Sequence, residues 1–435
     1  MHKIGIRFED KYTMERRVPL VPDHVKQLIE KGFEFEVVKS AKRIFKDAEF
    51  EEAGATLVDE VTNSQIVLGV KEMPLGYFKK NNTYIFFSHT VKGQEYNMPL
   101  LKDMMESKIN LVDYERIVDE QGRRLIFFGR FAGLAGMINS LWSLGQRYAE
   151  YGIHTPFLKI QQTHHYNSLE EAKQVIGEVG EEIKKNGLPS EITPLTFAIT
   201  GYGNVSKGAQ EILKLLPVVN ISPSKMREIG KQGTYSNNEV YQAVFKEEDL
   251  SRPKDPRVEF NLQNYYDHPE LFEDQFEQYI PFISCLMNCM YWDDRYPRIV
   301  TKNYLEKIYK QGNPKLTVIG DVTCDPNGSI ECTHKGTEIE DPVFTYNPFS
   351  REPIMGFKGE GILVMAVDIL PSELPRESSQ TFSDALVSFI PQIAAANFNE
   401  PFENLNLPYP IKKALILHNG KLTPDYQYLK ENLTL

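Results

Sequence analysis

Residues 195–216, LTFAITGYGNVSKGAQEILKLL, combine an apolar run, a glycine turn and an amphipathic segment. The run LTFAIT predicts a buried strand, and the residues after the glycines predict a helix. Gly201 can make the tight turn between them, and Gly203 lets a backbone come close to a ligand. The helix start at Asn204 and Val205 offers unpaired N–H groups to a negative charge. This context predicts a turn that binds the pyrophosphate of a dinucleotide.

The glycine spacing is GxGxxxxG, with a serine where the usual third glycine would stand, so an ordinary strand-to-helix turn stays open as an alternative. Rossmann domains selective for NAD usually carry an acidic residue about twenty residues after the loop, where it binds the ribose hydroxyls. The segment VVNISPSKMR, residues 218–227, has none. Hydroxyls and positive charge for a 2′-phosphate come instead from Ser222, Ser224, Lys225 and Arg227. The sequence therefore favours NADPH, with NADH as the alternative.

Length and composition limit the classes of function. A chain of 435 residues favours two domains over one core. The formal charge of −11 argues against a nucleic-acid footprint, and no apolar run of about 18 residues predicts a membrane span. The N-terminal residues lack the apolar core of a secretory signal. The four cysteines and His334 match no standard zinc spacing, so we expect no bound metal and a reducing compartment, the cytoplasm.

Strands and helices alternate along both halves of the chain, which predicts an α/β fold. The first 130 residues hold the predicted strands KIGIRF, FEFEVVKS, SQIVLGVK, YIFFSH and INLVDYE. A second α/β unit begins at LTFAIT and continues through FISCLMNC and KLTVIGDVT. Residues 230–279 are polar and aromatic, and we expect helices and loops beside the second sheet there. The pattern leaves the place of the C-terminal segment open.

Polar side chains end two of the predicted strands of the first domain. GVKEMP ends one strand with Lys71 and Glu72, and IFFSHTVK ends another with His89 and Lys92. Clefts open at strand ends in α/β domains, so a lysine and a histidine there could share proton transfers. The pattern alone favours the plainer alternative of a solvated lysine and a structural histidine.

Two arginines lie at turns near the same strand ends, Arg17 in ERRVPLVP and Arg124 in DEQGRRL. Arginine forks suit carboxylates. On the pattern alone, exposed surface arginines are the more frequent case.

An ordered series of segments resembles the lysine-ketoglutarate reductases, the reductase half of aminoadipic semialdehyde synthase. The series is ERRVPLVP, LGVKEMP, FFSHTVK, DYERIVDEQGRR, GRFAGLAGMI, MYWDDRYPR, GDVTCDPNGSIE and VDILPSELPRESS. The chain is thus similar to the alanine dehydrogenase and saccharopine dehydrogenase superfamily over essentially its whole length. The resemblance implies two Rossmann-like domains with a cleft between them, the first discontinuous. We expect a substrate-binding part at 1–135, a nucleotide-binding domain at 136–355 and a return segment at 356–435.

The resemblance also implies a reaction, in which the imine of L-lysine and 2-oxoglutarate is reduced to saccharopine with NADPH. Lys71 and His89 match the family's catalytic lysine and histidine. From this match and the positions at the strand ends, the candidate substrate-binding residues are Arg17, Glu72, Lys92, Glu115 and Arg124. From the match and the glycine turn, the candidate cofactor-binding residues are Gly201, Gly203, Asn204, Val205, Ser222, Lys225 and Asp321.

Other functions stay open. The same couple could run toward lysine with NAD, as in the lysine-forming saccharopine dehydrogenases. An alanine dehydrogenase-like enzyme is a second alternative, although the stretch at 239–279 and the segment YWDDRYPR favour the saccharopine relatives. A catalytically silent nucleotide-binding protein is a third. A different diamine, such as ornithine, and a homo-oligomer are equally open.

Overall fold

The computed structural model describes residues 3–232, 235–312 and 314–433. The chain folds as two compact units, one made of Met1–Phe128 with Pro375–Leu435 and the other of Gly129–Leu374. The first unit is therefore built from two chain segments with the whole second unit between them.

The first segment contains β1 (Lys3–Ile6), α1 (Pro22–Glu30), β2 (Glu34–Val38), α2 (Asp47–Glu52), β3 (Thr56–Val58), β4 (Ile66–Leu68), β5 (Thr83–Phe86), α3 (Met98–Glu106) and β6 (Asn110–Asp113). The second unit begins with α4 (Gly129–Glu150), α5 (Leu169–Asn186), β7 (Leu195–Thr200), α6 (Asn204–Leu213), β8 (Val218–Asn220), α7 (Pro223–Gln232), β9 (Val240–Phe245) and α8 (Glu247–Leu250). It continues with β10 (Ser251–Pro253), α9 (Leu262–Asp267), β11 (Phe272–Asp274), β12 (Cys285–Asn288), α10 (Lys302–Lys310), β13 (Val318–Asp321), β14 (Val343–Tyr346), β15 (Pro353–Met355) and β16 (Ile362–Met365). The last segment adds α11 (Pro375–Leu386), α12 (Ile390–Ala395), α13 (Tyr409–Ala414), β17 (Leu415–His418) and β18 (Lys421–Leu422).

The first unit contains an eight-stranded sheet in the order β18-β17-β6-β5-β4-β1-β2-β3. The six strands β1 to β6 are parallel, and their order is that of a doubly wound Rossmann sheet. The strand order reverses between β1 and β4, and ligands bind such sheets at the carboxyl ends around that point. The predicted α/β class with two Rossmann-like domains is confirmed by this sheet and the second one.

The last chain segment completes the core of the first unit. β17 pairs antiparallel with β6 and closes that side of the parallel sheet. The backbone N–H groups of Val18 and Val21 donate to the hydroxyls of Ser379 and Ser383 on α11, at 3.0 Å each. Buried apolar side chains of α11 and β17 belong to the same core cluster as those of β1 to β6.

The second unit contains a second eight-stranded sheet, in the order β15-β14-β16-β13-β12-β7-β9-β8. β14 and β15 are antiparallel, and the other six strands are parallel. Residues 240–245, VYQAVF, therefore form a strand beside β7, where the sequence predicted only helices and loops. The short antiparallel pair β10–β11 follows, and Gly233 and Thr234 of the predicted insert lie outside the described residues.

The unit boundaries of the structure differ from the boundaries expected at 135/136 and 355/356. α4 begins at Gly129 and packs along its length on α6 and β13 of the second unit. β16 pairs with β13, so residues 362–365 belong to the second sheet and the return begins only at Pro375. Of the described helices, none is long and apolar enough to cross a membrane.

Candidate functional site

The predicted acid–base residues of the first unit come together at the carboxyl ends of β4 and β5. Lys71 and Glu72 follow β4, and His89 follows β5, the parallel neighbour of β4. His89 Nδ1 lies 2.8 Å from Glu72 Oε1. His89 has a φ of 52°, the left-handed region that residues other than glycine rarely occupy. Strained backbone of this kind clusters at functional sites.

Glu72 is a nearly buried carboxylate shared by two partners. Its Oε1 also accepts a hydrogen bond from Lys11 Nζ at 2.5 Å, and its side chain is only 9% exposed. Burial alone would raise the pKa of Glu72, but the hydrogen bonds and charges of His89 and Lys11 outweigh it and lower the pKa to about 2. The carboxylate thus fixes Nδ1–H as the donor and leaves Nε2 of His89 as the acceptor, a tautomer inferred from this contact. Oε2 of Glu72 is buried without a hydrogen-bond partner among the described residues.

Lys71 is half-buried beside acidic and aromatic groups that come from the segment after β1. Its Nζ lies 5.4 Å from the centroid of the Tyr12 ring, and its backbone N–H donates to Glu9. Burial raises the pKa of Glu9 to about 7, against the nearby charge of Arg7 and the two backbone N–H groups that bind it. Burial would also raise the pKa of Glu15, but Arg17 and, more weakly, Lys71 lower it overall. Two carboxylates with opposite shifts therefore lie near one lysine.

Arg17, predicted to contact a substrate carboxylate, is already bound to a carboxylate of its own unit. Its Nε and Nη2 donate to the two oxygens of Glu15 at 2.7 and 2.5 Å. Its guanidinium also stacks 4.1 Å from the centroid of the Phe128 ring, and the residue is 4% exposed. In this arrangement Arg17 positions Glu15, and its role toward substrate stays a prediction.

The other substrate candidates lie around the same edge of the first sheet. The Arg124 guanidinium lies 6.0 Å from the centroid of Phe87, whose ring stacks on His89. Glu115 follows β6, the strand beside β5, and is half-buried. Lys92 is exposed three residues after His89, and no described interaction joins it to the cluster.

The predicted glycine turn lies at the carboxyl end of β7 in the second unit. Gly201 has a φ of 79° and donates its N–H to Phe245 O at 2.8 Å. A Cβ at Gly201 would meet the backbone of Met290 at 3.1 Å, whereas a Cβ at Gly203 would meet nothing within 4 Å. Gly203 is the N-cap of α6 and offers no side chain, so no N-cap side chain accepts a hydrogen bond from the first N–H groups of the helix, those of Asn204 and Val205. Such a turn fits the pyrophosphate of a dinucleotide.

The remaining cofactor candidates are not brought to this turn. Ser222 and Lys225 follow β8, the outermost strand, and β9 separates that strand from β7. Ser222 contacts Ser224 at 2.8 Å, and Lys225 Nζ lies 3.3 Å from a Glu228 oxygen. Their role as cofactor residues stays a prediction.

Asp321 ends β13 inside a buried hydrogen-bond network. Its carboxylate accepts from Asn288, Thr323 and Thr333 at 2.8, 2.7 and 2.6 Å, and the residue is 1% exposed. Burial raises its pKa although these donors oppose the rise. The contacts hold the ends of β12 and β13 together, and a direct cofactor contact stays a prediction.

Sequence reasoning missed the residues that surround the two sites. Glu9, Lys11, Tyr12 and Glu15 lie in FEDKYTME, a charged segment without periodicity whose only signal was its position after a strand. Beside the glycine turn it missed Glu247, which follows the unpredicted strand β9. Within the described residues, no three His, Cys, Asp or Glu side chains are grouped to hold a metal ion.

Two doubly wound units, one with an acid–base cluster and one with a pyrophosphate-type glycine turn, define a class of two-domain dinucleotide-binding proteins. Family comparison identifies the members of that class. Residues 5–135 match the alanine dehydrogenase/PNT N-terminal domain, and residues 290–425 match the alanine dehydrogenase/PNT C-terminal domain. The chain belongs to the alanine dehydrogenase/PNT family.

The chain is also similar to individual proteins. It is 40% identical to alpha-aminoadipic semialdehyde synthase of Arabidopsis thaliana, over 98% of the chain and 41% of that protein. The mitochondrial enzyme of the same name from Mus musculus is 35% identical, over 98% of the chain and 47% of the protein. The chain thus spans less than half the length of these relatives. An NAD(+), L-lysine-forming saccharopine dehydrogenase of Yarrowia lipolytica is 26% identical, over 90% of the chain and 92% of that protein.

A solved structure of an L-alanine dehydrogenase has the same fold. It superposes with a TM-score of 0.63 at 18% identity, covering 99% of each chain. At this identity the likeness shows the fold alone.

Proposed function

We propose that this chain reduces the imine formed from L-lysine and 2-oxoglutarate to saccharopine with a reduced nicotinamide dinucleotide. The observation that carries the proposal is the cluster of Lys71, Glu72 and His89 at one edge of the first sheet. The names of the semialdehyde synthase and saccharopine dehydrogenase relatives support the choice of amine and keto acid.

Imine formation requires protons to move at defined atoms. The ε-amine of lysine adds to the keto carbon, a hydroxyl leaves as water, and a C=N bond forms. His89, held through Nδ1 by the Glu72 carboxylate, presents Nε2 to take a proton from the amine and return one to the departing hydroxyl. When bound, the dinucleotide supplies the hydride that adds to the carbon of the protonated imine and leaves a secondary amine.

Cations at the same edge suit the charge of the substrates. Saccharopine carries three carboxylates, and Lys71, Lys92 and Arg124 all follow strands or turns at this edge. Glu72 keeps its negative charge at neutral pH because its pKa is lowered to about 2, so it can also attract an amine. We propose that Lys71 balances the charge of the substrate while His89 moves the proton.

The turn Gly201–Gly203 and the start of α6 would hold the pyrophosphate. NADPH is the sequence-based expectation for the cofactor and NADH the alternative; the name of the Yarrowia relative gives NAD(+). The cytoplasmic location, the homo-oligomer and the direction of the reaction in the cell stay predictions.

The test is an assay of the purified chain with a panel of amines. Oxidation of reduced dinucleotide should require both lysine and 2-oxoglutarate, and mass spectrometry should detect saccharopine. Ornithine in place of lysine and pyruvate with ammonia in place of both substrates are the controls. Oxidation with pyruvate and ammonia would overturn the proposal in favour of an alanine dehydrogenase, and no oxidation with any keto acid would favour a silent nucleotide-binding protein.

A further inference from the structure

The strand beside the glycine turn is not the strand that a Rossmann sequence pattern would place there. In the usual order, the strand after the first helix lies next to the first strand, and the acid at its end binds the adenosine ribose. In this chain β8 follows α6, but β9 pairs with β7 over its whole length and β8 is at the edge. The residues that follow β9 therefore occupy the position that usually reads the ribose.

The register supports this assignment. Thr200, the last residue of β7, is level with Phe245, the last residue of β9. Gly201 of the turn hydrogen-bonds directly to Phe245 O at 2.8 Å. β8 ends at Asn220, which is level with Gln242, three residues before the end of β9. The end of β8 is thus two strands from β7 and, at about 3.3 Å per residue, roughly 10 Å short of this level along the sheet.

A cavity of about 240 Å³ opens where β7, β9 and β12 end. The turn Gly201–Gly203 lines one side, and the residues after β9 and β12 line the others. Tyr265 and Tyr266, from α9, contribute aromatic rings to its wall. Its position beside the turn and its aromatic lining fit the adenosine end of a dinucleotide bound at α6.

Glu247 is the acidic side chain of this cavity. Its Oε1 accepts hydrogen bonds from Tyr266 OH at 2.8 Å and from Tyr202 OH at 3.4 Å. Burial, together with this hydrogen bond, raises the pKa of Tyr266, which keeps its hydroxyl a donor. Its Oε2 carries no described hydrogen bond, and among the described residues no lysine, arginine or histidine forms an ion pair with it. The carboxylate is therefore held by two phenols with one oxygen open.

We propose that Glu247 accepts the adenosine ribose hydroxyls and makes this chain select the dinucleotide without a 2′-phosphate, NADH over NADPH. The proposal rests on the dinucleotide site proposed above. A carboxylate with an open oxygen accepts from two hydroxyls, whereas a 2′-phosphate at the same place meets a like charge.

The basic residues that suggested NADPH lie elsewhere. Lys225 and Arg227 are both on α7, which follows the edge strand β8. Lys225 forms an ion pair with Glu228, and Arg227 donates to Gln278 at 2.8 Å. Lys246 is exposed next to Glu247, and its backbone N–H donates to Asp249. None of these three residues lines the cavity.

The test is equilibrium binding of two fragments that differ only in the 2′-phosphate, ADP-ribose and 2′-phospho-ADP-ribose, measured by titration calorimetry on the full chain. The wild-type chain should bind ADP-ribose at least about tenfold more tightly. Glu247→Gln removes the charge and should shrink the preference to about threefold or less. Glu247→Asp, which keeps the charge, should retain most of it. The matched control Glu248→Gln alters the exposed neighbouring acid and should leave the preference unchanged.

Two outcomes would overturn the role of Glu247 but leave the proposed dinucleotide site standing. Tighter binding of the phosphorylated fragment by the wild-type chain would show that the site selects NADPH. Equal behaviour of Glu247→Gln and Glu248→Gln would show that Glu247 does not read the ribose. Binding of neither fragment to the wild-type chain would overturn the dinucleotide site itself and, with it, this assignment.

Discussion

At the scale of single residues, Glu72 fixes the orientation and the tautomer of His89. It is ionised at any pH well above 2, and its only described polar partners are His89 and Lys11. Glu72→Gln removes the negative charge and weakens the contact that fixes the tautomer of His89. We expect kcat/KM for lysine and 2-oxoglutarate to fall about 10- to 100-fold, less than the roughly 10²- to 10⁴-fold that a positioned acid–base group contributes, because His89 itself remains.

The pH dependence of that loss distinguishes orientation from titration. Because Glu72 itself stays charged across the working range, a loss caused by misorientation should remain at pH 9, where a histidine is neutral in both enzymes. Glu52→Gln, an exposed change of the same kind at the end of α2, is the control and should keep wild-type rates. A Glu72→Gln enzyme with wild-type activity would contradict the role given to this carboxylate.

Glu9 predicts an unusual fall of stability toward neutral pH. Its pKa is raised by burial from 4.5 to about 7 in the folded protein, so the folded state binds the proton more tightly than the unfolded state. This stabilisation is fully present below pH 4.5 and is lost as the pH rises through 7. The difference between the two pKa values corresponds to a loss of about 3 kcal/mol in the free energy of unfolding.

Glu9→Gln should remove that loss. The measurement is the free energy of unfolding in urea at pH 5 and pH 7. Relative to wild type, we expect the variant to gain about 2 to 3 kcal/mol between the two values, because it carries no titrating group there. Glu30→Gln, at the exposed end of α1, should follow wild type. Parallel pH curves for wild type and Glu9→Gln would refute the raised pKa.

The sequence predicted where the polar residues of this edge lie, but not which residues surround them. Lys71, Glu72 and His89 follow apolar strands by three or four residues, so their place at the strand ends could be predicted from their position in the chain. Glu9 and Glu15 lie in an irregular segment, and only tertiary structure brings them to Lys71. The ion pair of Arg17 with Glu15 could not be predicted either, since an arginine fork donates to a protein carboxylate as readily as to a substrate one.

At the scale of elements, two glycines allow α4 and α6 to cross closely. A Cβ at Gly208 would lie 2.1 Å from Arg130 O, and one at Gly133 would lie 1.9 Å from Val205 O. Both clashes are with backbone, which cannot turn aside as a flexible side chain can. Ser206 stands where the usual third glycine would be, and Gly208, two residues later, allows the close packing of the helix instead.

Gly208→Ala should therefore destabilise the protein, by about 1 to 3 kcal/mol or more, as overpacking in a core does. Its matched control is Gly177→Ala on α5, where a Cβ would meet nothing within 4 Å. That change should stabilise by about 0.5 to 1 kcal/mol, because alanine is the better helix former. Thermal unfolding midpoints compare the two variants, and equal midpoints would contradict the close crossing.

The strand order of the second sheet could not be predicted from the sequence. The strand β9 has the sequence VYQAVF, in which a buried glutamine interrupts the apolar run, and it follows a polar stretch. Gln242 is tolerated because its Nε2 donates to Asn220 at 3.0 Å and to Gln210 at 3.3 Å. Because β9 is not evident from the sequence, the pattern points to the end of β8 for a ribose-binding acid, whereas the sheet order points to Glu247.

At the scale of the whole molecule, the first unit depends on residues that are distant in sequence. α11 supplies the hydroxyls that accept from Val18 and Val21, and β17 covers the edge of β6. Local patterns describe neither contact, which is why only family resemblance suggested the return segment. The second unit, by contrast, is one continuous segment with its own sheet and core.

Truncation after Leu374 should separate the two units. The first unit would lose α11, α13 and β17 from its core and expose the edge of β6, so we expect residues up to Phe128 to become sensitive to protease under native conditions. Residues 129–374 should resist the protease and still bind ADP-ribose. As a control, the full chain cut at an engineered protease site after Leu374 keeps both pieces and should keep the first unit resistant. If the first 128 residues of the truncated chain remained resistant, α11 and β17 would be dispensable for that core. The C-terminal segment would then pack on a first segment that folds without it.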